Sequence, residues 1–93
     1  MANQAFNLTG TGNQDSVTIT IAAGEKVRVR FTSVNGVPNI YLAVTANSVT
    51  DYIPIDDSDA WVSDAVLAGD VVGVRMRGNS PTDNVTGIIE SGT

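Results

Sequence analysis

Ala23-Gly24-Glu25-Lys26-Val27-Arg28-Val29-Arg30-Phe31 and, 45 residues further on, Ala68-Gly69-Asp70-Val71-Val72-Gly73-Val74-Arg75-Met76 decide the fold class of this 93-residue chain. Five of the nine positions are identical, and Glu25/Asp70 and Phe31/Met76 are conservative pairs. Each copy reads as a tight turn feeding a strand. Val27, Val29 and Phe31 alternate with Arg28 and Arg30, and Val72, Val74 and Met76 alternate with Gly73, Arg75 and Arg77. A side-chain period of two sends one set into a core and the other outward.

Working outward, Val17, Ile19 and Ile21 alternate with Ser16, Thr18 and Thr20, so residues 16–22 read as a strand. The Ala23-Gly24 turn is expected to pair it with 26–32 as a hairpin, setting Thr18 and Thr20 beside Arg28 and Arg30. Asn35-Gly36 signals a turn, and strand 39–45 follows with Ile40, Leu42 and Val44 on one face and Tyr41, Ala43 and Thr45 on the other. Residues 49–55 form another strand, which Pro54 marks as an edge or a bend. A short element from Trp61 to Leu67, strand 71–77 and a last strand from Val85 to Glu90 complete the set. No stretch of ten residues shows a helical period. The expectation is an all-β protein: a compact β-sandwich or small barrel, jelly-roll-like, of about seven or eight short antiparallel strands.

Residues 1–14 are polar, with Phe6 and Leu8 spaced to anchor one face. They read as an edge strand or as an arm that packs on a neighbouring subunit. Residues 15–93 form a single β domain, within which 15–47 and 61–93 are candidate half-repeats. The competing explanation is one favoured turn used twice.

Composition excludes several functions. The net charge of −5 argues against nucleic acid as a partner. The apolar runs are far too short to span a membrane as helices, and Met1-Ala2-Asn3-Gln4 lacks the basic and apolar regions of a signal peptide. The chain has no cysteine and no histidine, and so lacks the commonest metal ligand and the commonest general base. No Gly-x-Ser-x-Gly element is present to activate a serine, and so short a β domain leaves little room for the cleft that a carboxylate pair needs. We therefore expect neither an enzyme nor a bound cofactor.

Three groups of residues remain as candidates. Asp56, Asp57 and Asp59, with Asp64 nearby, are weak metal candidates. They lack the glycine and closing glutamate of an EF-hand loop, and a solvated loop explains them more simply. Trp61 could be a stacking platform for a sugar or, more simply, a core or subunit contact. The arginines are the third group. Every basic side chain in the protein, Lys26, Arg28, Arg30, Arg75 and Arg77, belongs to the two repeated strands. If those strands adjoin, four guanidinium groups form one positive stripe able to dock carboxylates of a partner; a solvated face paired with Glu25, Asp70 and Glu90 is the plainer alternative. Gly73 would let the partner approach closely, and Tyr41, Phe6 and Leu8 complete the partner-binding candidates.

In its size, its lack of Cys and His, its single Lys and its Thr/Asn/Gly/Val-rich strands, the chain resembles the small all-β head decoration (cement) proteins of tailed bacteriophages. The polar segment from Met1 to Gly12 and the Ala-Gly-acid turns at 23–25 and 68–70 add to the likeness. The resemblance implies a virion component on the capsid surface, a homo-oligomer with a trimer favoured, clamping the major capsid protein from outside. Val17 to Phe31 also resembles the jelly-roll accessory domains of secreted hydrolases, which implies a carbohydrate-binding or adhesin-like module. A phage tail or baseplate β-domain would share the composition.

Overall fold

The computed structural model describes residues 2–56, 62 and 66–93, and shows eight strands among them. These are β1 (Asn3–Thr9), β2 (Gly12–Asp15), β3 (Ile19–Thr20), β4 (Lys26–Asn35), β5 (Asn39–Ala46), β6 (Val49–Ile55), β7 (Val71–Gly78) and β8 (Asn84–Gly92). A three-stranded sheet has the order β1-β8-β4; a five-stranded sheet has the order β2-β7-β5-β6, with β3 also paired to β7. All of these pairs are antiparallel. The protein is a small all-β sandwich.

Alternation builds the core between the sheets. Val27 and Val29 of β4, Val85 and Ile89 of β8, and Phe6 and Leu8 of β1 face inward from one sheet. They meet Ile40, Leu42 and Val44 of β5 and Val72, Val74 and Met76 of β7. Gly87 interrupts the apolar row of β8 between Phe6 on one side and Phe31 on the other. The two rings fill the missing volume edge to face, 6.0 Å apart at 81°.

The two Ala-Gly-acid turns have one geometry. In Ala22-Ala23-Gly24-Glu25 the Glu25 amide donates to the Ala22 carbonyl (3.1 Å), and the Ala22 amide donates to Glu25 Oε1 (3.1 Å). In Leu67-Ala68-Gly69-Asp70 the Asp70 amide donates to the Leu67 carbonyl (3.1 Å), and the Leu67 amide donates to Asp70 Oδ2 (2.8 Å). Gly24 and Gly69 hold φ of 76° and 92°, the left-handed position that a type II turn gives to glycine. The acid closes a second ring around the turn, which explains why it recurs at this place. The turns lie side by side, since Ile21 donates to the Asp70 carbonyl and accepts from the Gly69 amide.

The repetition extends into the ladders. Val27, Val29 and Phe31 of β4 pair with Ser91, Ile89 and Gly87 of β8. The equivalent Val72, Val74 and Met76 of β7 pair with Val44, Leu42 and Ile40 of β5. Beyond β8 and β5 lies one further antiparallel strand each, β1 and β6. Ile19 pairs with Val72, and Val62 makes a corresponding bridge with Val27. The pairings around the two repeated strands therefore correspond when the sheets are exchanged, with β1 beside β8 as β6 is beside β5, while β2 has no counterpart beside β4 among the described residues.

This exchange overturns two expectations. The turn at Ala23-Gly24 does not close a hairpin: β3 stays in the five-stranded sheet and β4 opens the three-stranded one, so Thr18 and Thr20 do not flank Arg28 and Arg30. Strand 16–22 is also shorter than its alternation predicts. Ser16 donates its amide to the Val74 carbonyl (2.9 Å), while its own hydroxyl accepts from the Val74 amide (2.8 Å). The side chain thus takes the place of a backbone acceptor. Residues 16–18 leave the ladder there, and Val17, expected inward, stands 62% exposed. The hairpin of the five-stranded sheet is β5–β6, turning at Asn47-Ser48, where φ is 52° and 66°.

Candidate functional site

Exchanging the sheets also separates the arginines. Arg28 and Arg30 point outward from β4 on one side of the sandwich, and Arg75 and Arg77 point outward from β7 on the opposite side. The continuous stripe of four guanidinium groups does not form.

On the three-stranded sheet, register sets Arg28 opposite Glu90 and Arg30 opposite Ile88. Both arginines turn to the one carboxylate. Arg28 donates to Glu90 Oε1 through Nε (2.8 Å) and Nη2 (2.6 Å), and Arg30 Nε lies 2.9 Å from the same oxygen. The Glu90 side chain keeps 15% of its exposure. Arg28 first, then Arg30, hold its carboxyl below the ordinary carboxylate value, against the opposing pull of burial. Lys26 and Ile88 also point outward here, beside polar contacts in which Thr32 donates to Thr86 (3.1 Å) and Asn84 donates to Asn7 (2.7 Å).

On the five-stranded sheet the outward residues form rows across the strands. Asn13, Arg77 and Asn39 make one row; Asp15, Arg75, Tyr41 and Pro54 make the next; Gly73, Ala43 and Tyr52 make a third. Asp15 takes Arg75 with two bonds, Nε to Oδ1 at 2.7 Å and Nη2 to Oδ2 at 3.1 Å, a bidentate pairing that raises the guanidinium pKa. The Arg75 guanidinium also lies 4.1 Å from the centre of the Tyr52 ring. Tyr52 stands 43% exposed. Asn13, Tyr41, Tyr52, Arg75 and Arg77 enclose a shallow open depression of about 290 Å³.

The other candidates fall elsewhere. Phe6 and Leu8 are buried in the chain's own core, because β1 pairs along its length with β8; they present no surface to a neighbour. Gly73 is approached closely, but by this chain: a Cβ there would stand 3.2 Å from Thr18 Cγ2 and 3.3 Å from Ser16 Oγ. Asp56 sits with Val27, Val29, Leu42, Pro54, Ile55 and Val62 around an inter-sheet cavity of about 250 Å³. Asp57, Asp59, Asp64 and Trp61 lie outside the described residues. Among the described residues no three acids come together as a metal site would require, and no helix is long and apolar enough to cross a membrane.

Sequence reasoning missed Asn13, Asp15 and Tyr52. Tyr52 was within reach, since its parity opposes that of Ile53 and Ile55 on an edge strand. Asn13 and Asp15 were not, because their role depends on β2 pairing with β7 across some sixty positions of chain.

Comparison with protein-family models, with curated proteins and with solved structures returns no match.

Proposed function

We propose that this protein is a non-enzymatic structural module that docks on a protein surface through the outward face of its five-stranded sheet. Its specific form is a capsid decoration protein stabilising the outside of a phage head. One observation carries the reading: two tyrosines and two arginines converge on a shallow, open depression. Tyr and Arg are the side chains that most often carry binding energy at protein interfaces, and a flat face admits a partner protein more readily than a small substrate. The chain's lack of histidine and cysteine adds weight, because the usual activated nucleophiles cannot be assembled from it. A trimer belongs to this reading, since contacts between copies would add to the stability of a small core.

The test is assembly. Co-expressed with the capsid protein encoded beside it, the chain should sediment with shells on a sucrose gradient, and light scattering of the free protein should give a trimer. Exclusion from shells, or a gene far from capsid, portal and terminase genes, would overturn the decoration role.

Tyr41 and Tyr52 beside Asn13 and Arg77 also support a second reading, a carbohydrate-binding module on the same face. Against it, one face of the Tyr52 ring is already covered by Arg75, which removes a stacking surface a pyranose would use. A thermal-shift panel of neutral sugars separates the two readings: stabilisation by a sugar favours the module, and a flat response favours docking.

A further inference from the structure

We infer that the depression on the five-stranded sheet is a carboxylate-reading site, with Arg77 as the group that reads and an acidic side chain of a partner protein as the occupant. The inference deepens the docking role and rests on it for the identity of the partner as a protein. The starting point is how each cation on this face is used. Arg75 is committed twice, in its bidentate pair with Asp15 and in its stacking on Tyr52. Its fork is occupied, and its charge is balanced by an adjacent acid. Arg77, one outward position along the same strand, is exposed, and among the described residues no carboxylate pairs with it. The ladder places Asn13 and Asn39 on its two sides, both neutral.

The charged groups of the depression are thus Arg75, Asp15 and Arg77, which sum to +1 on a chain whose net charge is −5. That local reversal of sign selects an anion. The planar five-donor fork of arginine fits a carboxylate through two parallel bonds, and the Asn13 carboxamide and Tyr41 hydroxyl line the same depression as further donors. Tyr52 supplies an aromatic wall for the methylenes of an aspartate or glutamate. On the opposite face Arg28 and Arg30 share the Glu90 carboxylate, whereas Arg77 pairs with no carboxylate among the described residues.

Nuclear magnetic resonance tests this without a capsid. The protein is titrated with acetyl-Glu-Glu-amide and with its neutral counterpart acetyl-Gln-Gln-amide, following backbone amides. The acidic dipeptide should move the amides of Asn13, Tyr41 and Arg77 saturably, and the neutral one should not. Arg77→Gln should weaken the acidic response about 10-fold or more, Arg77→Lys should recover part of it, and Arg30→Gln should leave it within about 2-fold. Equal responses to the two dipeptides, or an Arg77→Gln protein that binds like wild type, overturn the assignment. Binding of glucuronic acid with no binding of the acidic dipeptide overturns the protein occupant. The two readings fail separately. Shells that bind Arg77→Gln as tightly as wild type sink the carboxylate site alone, and charge-selective dipeptide binding without shell association sinks the decoration role alone.

Discussion

The two outward faces begin from the same turn and similar strands, yet they distribute their arginines differently: one face gathers two on a single acid, and the other pairs one and leaves one exposed. On the three-stranded face a single acid sits across from β4 and gathers both arginines, with Lys26 exposed further along the same strand. On the five-stranded face the acid comes from β2, on the other side of β7 and one row removed from the equivalent place, and pairs with Arg75. Where Arg28 stands on one face, Gly73 stands on the other, covered by Ser16 and Thr18 of this chain. Two strands of similar sequence thus carry their arginines into different surroundings. The difference lies both in the partners that register brings and in the strands themselves, where Gly73 replaces Arg28 and Arg77 replaces Thr32.

The sharpest way to break this comparison is at Gly87, the position equivalent to Ile40 in the other half. A Cβ there would overlap the Arg30 carbonyl oxygen and stand 2.9 Å from Phe6 Cζ. Gly87→Ala should cost about 3 kcal/mol or fail to fold, as overpacking against backbone does; urea denaturation measures it. The closeness of the chain ends gives a second test. Ser91 donates its amide to the Ala2 carbonyl at 2.8 Å, so the ends lie together. A circular permutant joined there and opened between Asn47 and Ser48 should keep a single cooperative transition, with a loss of about 1–2 kcal/mol. Failure to fold would show that the halves are not interchangeable in this way.

Removing the shared acid comes next. Glu90→Gln leaves two guanidinium groups facing a neutral amide and should cost about 1 kcal/mol. The sign of its pH dependence is fixed by the lowered Glu90 pKa. Its contribution is fully present above the unfolded-state value, near 4.5, and is lost as pH falls through the lower folded value. Wild type should therefore lose stability more steeply than Glu90→Gln below pH 4.5. The same change on the other face, Asp15→Asn, should cost about 0.5 kcal/mol or less, because the Asp15 side chain is 56% exposed. Equal costs for the two variants would erase the contrast between the faces.

How much of this was legible in the chain can be read residue by residue. Ile40, Leu42 and Val44, and likewise Val72, Val74 and Met76, lie inward as their alternation predicts, since a strand's period is a local property of its sequence. Val17 follows the same rule on paper and breaks it in the fold, because the Ser16 hydroxyl displaces a ladder bond that no local pattern reveals. The turns at Gly24 and Gly69 were legible as turns. Whether they closed hairpins was not, because a type II turn can return a chain to its own sheet or launch it into the facing one.

The sequence by itself thus determined the all-β class, the strand faces and the confinement of positive charge to two repeated strands. Each follows from steric and periodic constraints within a few residues. Only the tertiary structure decided which sheet each strand joins, and with it the splitting of the arginines, the placement of Asp15 on Arg75 and the exposure of Arg77 beside Tyr41. Those outcomes are pairings between residues thirty-four to sixty-four positions apart, from Tyr41–Arg75 to Asn13–Arg77, fixed by the burial of whole faces at once.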